Sequence, residues 1–253
     1  MFSLELSCAP ERHDLLVADL WELGCEGIVE TGDASLRVFF PDSADRAALE
    51  ARLGAVARTE DDRDWVAHAR GLWQPICAGS KFFLVPDWRD DPTPEGRHRL
   101  EITPGQAFGT GVHETTQLCI EALERHVRPG CAVLDVGAGT GILMQVAELL
   151  GAERVFGCDN DPIAVEVARG NLRGGGVFLG SVDAVRERSA DIVVANINPQ
   201  VLRELEPLLM AALRSGGIAL LSGFAPHEAP AGRLFVKGEW ALVERRSPME
   251  SRL

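Results

Sequence analysis

A glycine-rich turn after a buried strand is the feature that most constrains the fold of this chain. Residues 133–141 are Val-Leu-Asp-Val-Gly-Ala-Gly-Thr-Gly. Val133–Val136 predicts a buried strand, and the glycines let the chain turn sharply into a helix near Ile142 while the backbone approaches a ligand. Asp159 ends the next apolar run, where its carboxylate can accept both hydroxyls of a ribose. The pattern predicts an α/β domain that binds a nucleoside cofactor.

The spacing of the glycines indicates which cofactor. G-x-G-x-G is one residue shorter than the dinucleotide fingerprint G-x-G-x-x-G. Asp135 places a carboxylate just before the turn, where it repels a pyrophosphate and attracts a cationic amino acid group. S-adenosylmethionine carries an ammonium and a sulfonium, so the pattern favours this methyl donor over a nicotinamide dinucleotide. We expect five residues of this region to bind the cofactor: Asp135, Gly137, Gly139, Gly141 and Asp159.

A second glycine-rich loop, residues 105–116, precedes this strand and leads into a helix. It is expected to bring backbone amides, Phe108 and the Thr116 hydroxyl near the cofactor. Thr115 or Thr116 is the expected helix cap. His113 is open to two interpretations, a base or a packing residue of the loop.

A third segment, Asp191–Pro199, predicts a strand that delivers Asn196 to the ligand-binding edge of the sheet. Its amide would orient an acceptor nitrogen and contact the cofactor, which makes Asn196 the candidate catalytic residue. The alternative is an asparagine that only ends a strand before a helix. Water or the carboxylate of Glu114 is the expected proton acceptor.

The order of elements predicts two domains and a linker. Strands and helices alternate from Thr116 onward, which is typical of a Rossmann-like, mostly parallel sheet with helices on both faces. Residues 1–58 follow a ferredoxin-like βαββαβ order and form the expected small α+β substrate-recognition domain. Residues 59–75 are the expected linker helix, and residues 76–253 the catalytic domain.

Charge and composition narrow the classes of partner. The net charge of −13 argues against direct recognition of nucleic acid, and residues 1–60 alone hold 12 acidic and five basic side chains. A basic protein partner fits this surface, although solubility alone also accounts for the charge. Six cysteines and six histidines lack metal-ligand spacing, so no metal is expected. The absence of a signal sequence or a long apolar run favours a cytoplasmic protein that does not bind membranes.

With these segments in view, the chain resembles the bacterial ribosomal protein L11 methyltransferase family. The resemblance is carried by four segments, residues 107–116, 134–141, 157–162 and 194–197, and by Asp64-Trp65 and Trp73-Gln-Pro75 in the linker. It implies a ferredoxin-like domain that grips ribosomal protein L11 and a Rossmann-like domain that holds S-adenosylmethionine. The implied products are methylated lysine and N-terminal amines. The family positions for cofactor contact match Thr116, Gly137, Asp159 and Asn196.

Three features depart from the family pattern. Asn198-Pro199-Gln200 replaces the short apolar sequence that follows Asn-Ile, His68 stands where an aromatic residue is expected, and residues 173–177 shorten the approach to the third strand. Methylation of another acceptor, such as a protein glutamine amide or a small molecule, therefore stays open. An NAD-dependent oxidoreductase and a cofactor-binding module without turnover are the remote alternatives. A monomer is expected.

Overall fold

A computed structural model of the chain describes residues 1–7, 16, 20, 23–32, 35–59, 74–102 and 113–248. The chain divides into two compact units, Met1–Trp73 and Gln74–Leu253. The sequence also predicts an amphipathic helix at residues 10–23. Most of that segment, most of the predicted linker helix at 59–75, and the loop containing Phe108 lie outside the described residues.

The first unit contains a four-stranded antiparallel sheet. Its strands are β1 (Phe2–Ser7), β2 (Gly27–Gly32), β3 (Ser35–Phe40) and β4 (Ala57–Thr59), in the order β2-β3-β1-β4. Helix α1 (Arg46–Leu53) begins at the cap residue Asp45 and ends at Gly54, whose φ of 64° is left-handed. This strand order is that of a ferredoxin-like sheet, as the sequence predicts.

The core of the first unit lies on one face of this sheet. Leu4, Val38 and Phe40 are fully buried there, and Leu49 of α1 packs against them. In the second half of β1, the buried Leu4 and Leu6 alternate with the exposed Glu5 and Ser7, because successive side chains of a strand point to opposite faces.

The second unit contains ten strands, four α-helices and two short 3-10 turns among the described residues. The strands are β5 (Ile76–Ala78), β6 (Phe82–Pro86), β7 (His98–Ile102), β8 (Ala132–Val136), β9 (Arg154–Asp159), β10 (Gly176–Leu179), β11 (Ala190–Asn196), β12 (Leu213–Phe224), β13 (Arg233–Lys237) and β14 (Trp240–Arg246). The α-helices are α2 (Glu114–His126), α3 (Ile142–Leu149), α4 (Pro162–Asn171) and α5 (Pro199–Ala212). The 3-10 turns lie at Val182–Ala184 and Pro226–Glu228.

Seven strands form the central sheet in the order β10-β9-β8-β11-β12-β14-β13. The first five are parallel, and β14 pairs antiparallel with both of its neighbours. The remaining strands form a separate sheet, β5-β6-β7. The prediction of a Rossmann-like, mostly parallel sheet with flanking helices is confirmed. The carboxyl ends of β8, β9, β11 and β12 meet at one edge, where open α/β sheets bind ligands.

Local capping explains where two of the helices begin. Asp161 accepts a hydrogen bond from the Ile163 amide at 2.8 Å before α4, and Asn198 accepts one from the Gln200 amide at 2.8 Å before α5. A proline at the first position of each helix is preset for helical φ. The predicted threonine cap of α2 is wrong, since His113 occupies that position.

Within the described residues, no helix is long and apolar enough to cross a membrane. Nor do any three histidine, cysteine, aspartate or glutamate side chains of that part of the chain form a group that could hold a metal ion.

Candidate active site

A cavity of about 620 Å³ opens at the carboxyl ends of the parallel strands. Its walls come from the loops after β8, β9, β11 and β12, the start of α2, and the start of β14. The lining residues are His113, Thr115, Gly137, Gly139, Asp159, Asn160, Asn196, Ile197, Asn198, Pro199, Gly223, Glu228 and Trp240. Two of them are acidic and none is lysine or arginine, so the cavity suits a cationic ligand.

A somewhat larger cavity, about 710 Å³, lies elsewhere, between the end of α3 and the start of β9. Glu148 lines it and accepts hydrogen bonds from the backbone amides of Arg173, Gly174 and Gly175. We assign the site to the cavity at the strand ends, because ligands of open α/β sheets bind there.

The glycine turn brings backbone against the cavity. Gly137, Gly139 and Gly141 have φ values of 75°, 53° and 76°, in the left-handed region that favours glycine. The amides of Gly137 and Ala138 donate to the Cys158 carbonyl at 2.9 and 3.1 Å. The turn is therefore tied to the end of β9 and forms a fixed wall.

Asp159 links this turn to the start of α4. One carboxylate oxygen accepts from the Gly139 amide at 2.8 Å, and the other accepts from the Asp161 amide at 3.0 Å. Each carboxylate oxygen can accept a further hydrogen bond. Asp159 lines the cavity with its orientation already set, which is what a pair of ligand hydroxyls requires.

Asp135 is a buried carboxylate without a hydrogen-bond partner among the described residues. Only 1% of the residue is exposed, and both carboxylate oxygens are inaccessible. Burial, and then the nearby charge of Asp159, raise the pKa of Asp135 to about 7. An unpaired buried carboxylate is costly, so its position two residues before Gly137 indicates a role with a positively charged ligand.

Asn196 is held at the end of β11 by a neighbouring hydroxyl. Its Nδ2 donates to Thr116 Oγ1 at 3.3 Å, and its Oδ1 is buried without a partner among the described residues. The next residue, Ile197, donates its amide to the Ser222 carbonyl at 3.2 Å. Asn196 lines the cavity, and its side-chain carbonyl makes no hydrogen bond with the described residues.

Gly223, in β12, leaves room for the backbone of the turn after Asn196. Its φ is 102°, and a Cβ there would overlap the backbone of Ile197. A larger residue would push the turn after Asn196 out of place.

Four of the eight predicted cofactor residues line the cavity: Gly137, Gly139, Asp159 and Asn196. Thr116, Asp135 and Gly141 do not line it. Thr116 contacts Asn196, and Gly141 is the cap residue of α3, packed toward Ala168. Phe108 lies outside the described residues.

Glu114, the hypothetical proton acceptor, is not among the residues that line the cavity. Its side chain lies beside Gly238 in the turn between β13 and β14. The structure therefore does not bring this carboxylate to the acceptor position.

His113 and Trp240 contact each other on the cavity wall, and the sequence does not predict this contact. The ring centroids are 4.6 Å apart and the planes meet at 66°, an edge-to-face contact. His113 Nδ1 accepts from the Thr115 amide at 3.3 Å and lies 2.8 Å from Thr115 Oγ1. Nδ1 is engaged at the helix cap, which supports the packing interpretation of His113 over a base acting through that nitrogen.

Glu228, Gly223 and Trp240 are site residues that sequence reasoning missed. Gly223 could have been found, because it follows the apolar run of β12 at the carboxyl end of a parallel strand. Glu228 lies in the 3-10 turn after β12 without a motif of its own, and Trp240 reaches the cavity only through the packing of the last hairpin.

Comparison with known proteins identifies the family. The family model for ribosomal protein L11 methyltransferase (PrmA) matches residues 42–240, which include every residue that lines the cavity. The chain belongs to this family. The resemblance drawn from the sequence motifs is thereby confirmed.

Curated members of the L11 methyltransferase family share about two fifths of their residues with this chain over the matched region. The protein from Paraburkholderia xenovorans is 41% identical over 76% of this chain and 64% of its own length. The protein from Cupriavidus necator is 39% identical over 78% of this chain and 66% of its own length. The chain thus spans slightly under two thirds of the length of these L11 methyltransferases.

A solved structure of the same family has the same fold. It is the crystal structure of ribosomal protein L11 methylase from Lactobacillus delbrueckii subsp. bulgaricus, with a TM-score of 0.63 and 26% identity. The match covers 70% of this chain and all of that one.

Proposed function

We propose that this protein methylates lysine side-chain and N-terminal amines of ribosomal protein L11, with S-adenosylmethionine as methyl donor. The observation that carries the proposal is the meeting of the glycine turn, Asp159 and Asn196 in one cavity. Family membership supports the same reaction and acceptor.

The residues present fit this cofactor. The three glycines leave room for close approach, and Asp159 offers oxygens to ribose hydroxyls. The unpartnered Asp135 carboxylate can compensate the ammonium of the methionine part, and no lysine or arginine lines the cavity. When bound, S-adenosylmethionine supplies an electrophilic methyl group on its sulfonium.

The acceptor amine must be neutral and oriented before it attacks. A lysine amine has an ordinary pKa of about 10.4 and is almost entirely protonated at neutral pH. Removal from water lowers that pKa, and the proton leaves to solvent water, because Glu114 does not line the cavity. Asn196 Oδ1 would accept a hydrogen bond from one N–H of the neutral amine, which orients the nitrogen lone pair.

We propose separate roles for the two parts of the chain. Residues 1–58 would recognise the basic ribosomal protein through their acidic surface, residues 59–75 would link, and residues 76–253 would hold the cofactor. Glu5, for example, lies on the sheet of the first unit, paired with Arg37 at 2.9 Å. The protein would act in the cytoplasm, where ribosomes are made, and as a monomer.

Calorimetry separates the cofactor classes. Titration of the full chain with S-adenosylmethionine should give saturable binding, whereas NAD should give none. Binding of NAD alone would overturn the proposed cofactor.

Radiolabel transfer separates the acceptor classes. After incubation with labelled S-adenosylmethionine and a mixture of purified large-subunit proteins, the label should be found on L11. Acid hydrolysis should release it as methylated lysine and a methylated N-terminal residue. Recovery of the label as methylamine, which acid releases from an N-methylated glutamine amide, would favour the amide acceptor that Asn198-Pro199 leaves open, and would contradict the proposed amine acceptor.

A further inference from the structure

Strand β13 lies at one edge of the central sheet. Among the described residues it pairs with β14 alone, and it stands last in the strand order. Lys237 and Trp240 flank the two-residue turn between the strands, and the φ of 57° at Gly238 suits the first central residue of a type II′ turn. The hairpin therefore closes on a hydrogen-bonded pair, Lys237 with Trp240.

The pairing register identifies the backbone groups of β13 that face outward. Hydrogen-bonded and non-hydrogen-bonded pairs alternate along antiparallel strands, so Phe235 and Arg233 bond to β14, whereas Leu234 and Val236 do not. The N–H and C=O groups of Leu234 and Val236 therefore point away from the sheet. Outward backbone groups of an edge strand are a template for a further strand.

The same two residues carry exposed apolar side chains. Leu234 is 45% exposed and Val236 is 54% exposed. Because they are two positions apart, their side chains lie on one face of the strand. Edge strands are commonly protected by a charged side chain, a proline or a bulge, and the register of Leu234 and Val236 with β14 includes none of these. We call these two residues, with their outward backbone groups, the β13 edge.

The β13 edge adjoins the cavity at the carboxyl ends of the parallel strands. Val236 precedes Lys237, and Trp240, the partner of Lys237, lines that cavity. A strand rises about 3.3 Å per residue, so a chain paired with Val236 lies within a few residues of the cavity. A protein acceptor must cross a surface beside the cavity when one of its amines enters, and the β13 edge offers hydrogen bonds to its backbone.

Charges at the turn indicate which kind of chain fits. Glu239 is exposed in the turn, and the side chain of Glu114 lies beside Gly238. Glu121 pairs with Lys237 at 2.8 Å. Among the described residues of this turn and its neighbours on α2, the three carboxylates outweigh the one lysine, which favours a basic partner.

We propose that the β13 edge binds an extended, basic segment of the acceptor protein as an added strand. The inference rests on the proposed function, because it concerns the protein that supplies the amine. Backbone hydrogen bonds to Leu234 and Val236 hold the segment, and their exposed side chains pack against it. Main-chain bonds provide affinity without reading sequence, so the same edge presents amines from different sequence surroundings to the cavity.

Hydrogen exchange resolved to single amides tests the added strand. The full chain, saturated with S-adenosylhomocysteine, is compared with and without purified L11. The amides of Leu234 and Val236 should exchange at least about tenfold more slowly with L11, because an added strand removes them from water. The amides of β10, the opposite edge strand, should keep their exchange rates.

Substitutions separate the backbone bonds from the side chains. Val236→Pro removes an outward N–H but no bond to β14, and edge strands tolerate proline. It should raise KM for L11 about tenfold and leave kcat and the affinity for S-adenosylmethionine unchanged. Leu234→Thr combined with Val236→Thr keeps β-branched strand formers and should raise KM about threefold. Leu208→Gln, at an exposed apolar position on α5, is the matched control and should leave KM unchanged.

Unchanged exchange of both amides, with L11 that the chain methylates, would overturn the added strand while the proposed function stands. If Val236→Pro fails to fold, the threonine variant and the exchange data carry the test, and an unchanged KM in every folded variant contradicts the inference. Slower exchange that depends on the concentration of the chain alone would assign the edge to a second copy and also overturn it. If L11 is not methylated, the proposed function fails and this inference falls with it.

Discussion

Ile197 packs directly onto the bare backbone of Gly137, so closely that a methyl group at Gly137 would overlap Ile197 Cγ2. The contact joins the turn after β8, which would hold the cofactor, to the turn after β11, which carries Asn196. The geometry of the proposed methyl donor and that of the acceptor amine therefore depend on the same packing.

Gly137→Ala should lower both stability and affinity for S-adenosylmethionine. The left-handed φ of 75° costs an alanine about 1–2 kcal/mol, and the overlap with Ile197 adds to it. Thermal unfolding and calorimetry measure the two effects. Gly151→Ala is the control, because its φ of 89° gives similar strain with no atom within 4 Å.

The contact itself is tested by a double substitution. Adding Ile197→Ala to Gly137→Ala should restore part of the lost affinity, since it removes the overlapping methyl group. Strictly additive effects of the two substitutions would show that the contact does not couple the turns.

Asp135→Asn should stabilise the chain without cofactor and weaken cofactor binding. Because the folded pKa is raised from 3.8 to about 7, the folded chain binds a proton more tightly than the unfolded chain between these values. The free energy of unfolding is therefore highest at low pH with respect to this group. It falls as pH rises from 3.8 to about 7, and it levels off above the folded pKa. The asparagine of the variant does not titrate, so the variant does not lose this stability as pH rises.

Unfolding midpoints and calorimetric affinities from pH 5 to pH 8 provide the measurement for Asp135. The variant should gain stability relative to wild type as pH rises, while wild-type affinity for S-adenosylmethionine should increase over the same range. A wild-type affinity that does not change with pH would contradict a role for the Asp135 charge.

Asn196→Ala should reduce turnover by about 100-fold with a smaller effect on cofactor affinity, because it removes the acceptor oxygen that orients the amine. Single-turnover kinetics and calorimetry separate the two effects. Gln200→Ala removes an exposed side-chain amide nearby and should leave both unchanged. Full turnover by the Asn196 variant would exclude the assigned role.

Glu244→Gln should lower the free energy of unfolding by about 2 kcal/mol at neutral pH. Glu244 is buried and accepts from Arg125 and His126 at 2.9 Å each. Burial alone would raise its pKa, but the hydrogen bonds and charges of His126 and Arg125 outweigh it and lower the pKa. The stabilisation is present above the ordinary pKa and is lost as pH falls through the lowered one.

Denaturant titration measures the effect at Glu244. Glu239→Gln, an exposed site in the same hairpin, is the control and should change stability little. Equal stability of the two variants would mean that the cluster around Glu244 does not hold the hairpin on α2.

The parts of the fold that the sequence predicted are those with local signals. Helix α4 can be predicted from the sequence because Asp161 and Pro162 mark its start, and the ferredoxin-like order because glycine turns separate its strands and helices. Strand β10 has only four residues and begins in a run of glycines, so its apolar pattern is too short to indicate a strand. The start of strand β12 has no sequence signal, because the strand begins directly after α5.

The site residues that the sequence predicts are likewise those with a local signal. Gly137, Asp159 and Asn196 were predicted because each follows an apolar strand at the edge where parallel strands end. Trp240 joins them through the antiparallel pairing of β14 with β12, over a long sequence separation and without a motif. The role of Phe108 stays a prediction.

The mass of purified ribosomal protein L11 after incubation with this chain and S-adenosylmethionine is the most direct test of the central claim. The account predicts an increase in whole methyl groups, located on lysine and N-terminal amines, that requires both the chain and the cofactor. An unchanged mass of L11, in the presence of a folded chain that binds S-adenosylmethionine, would contradict it.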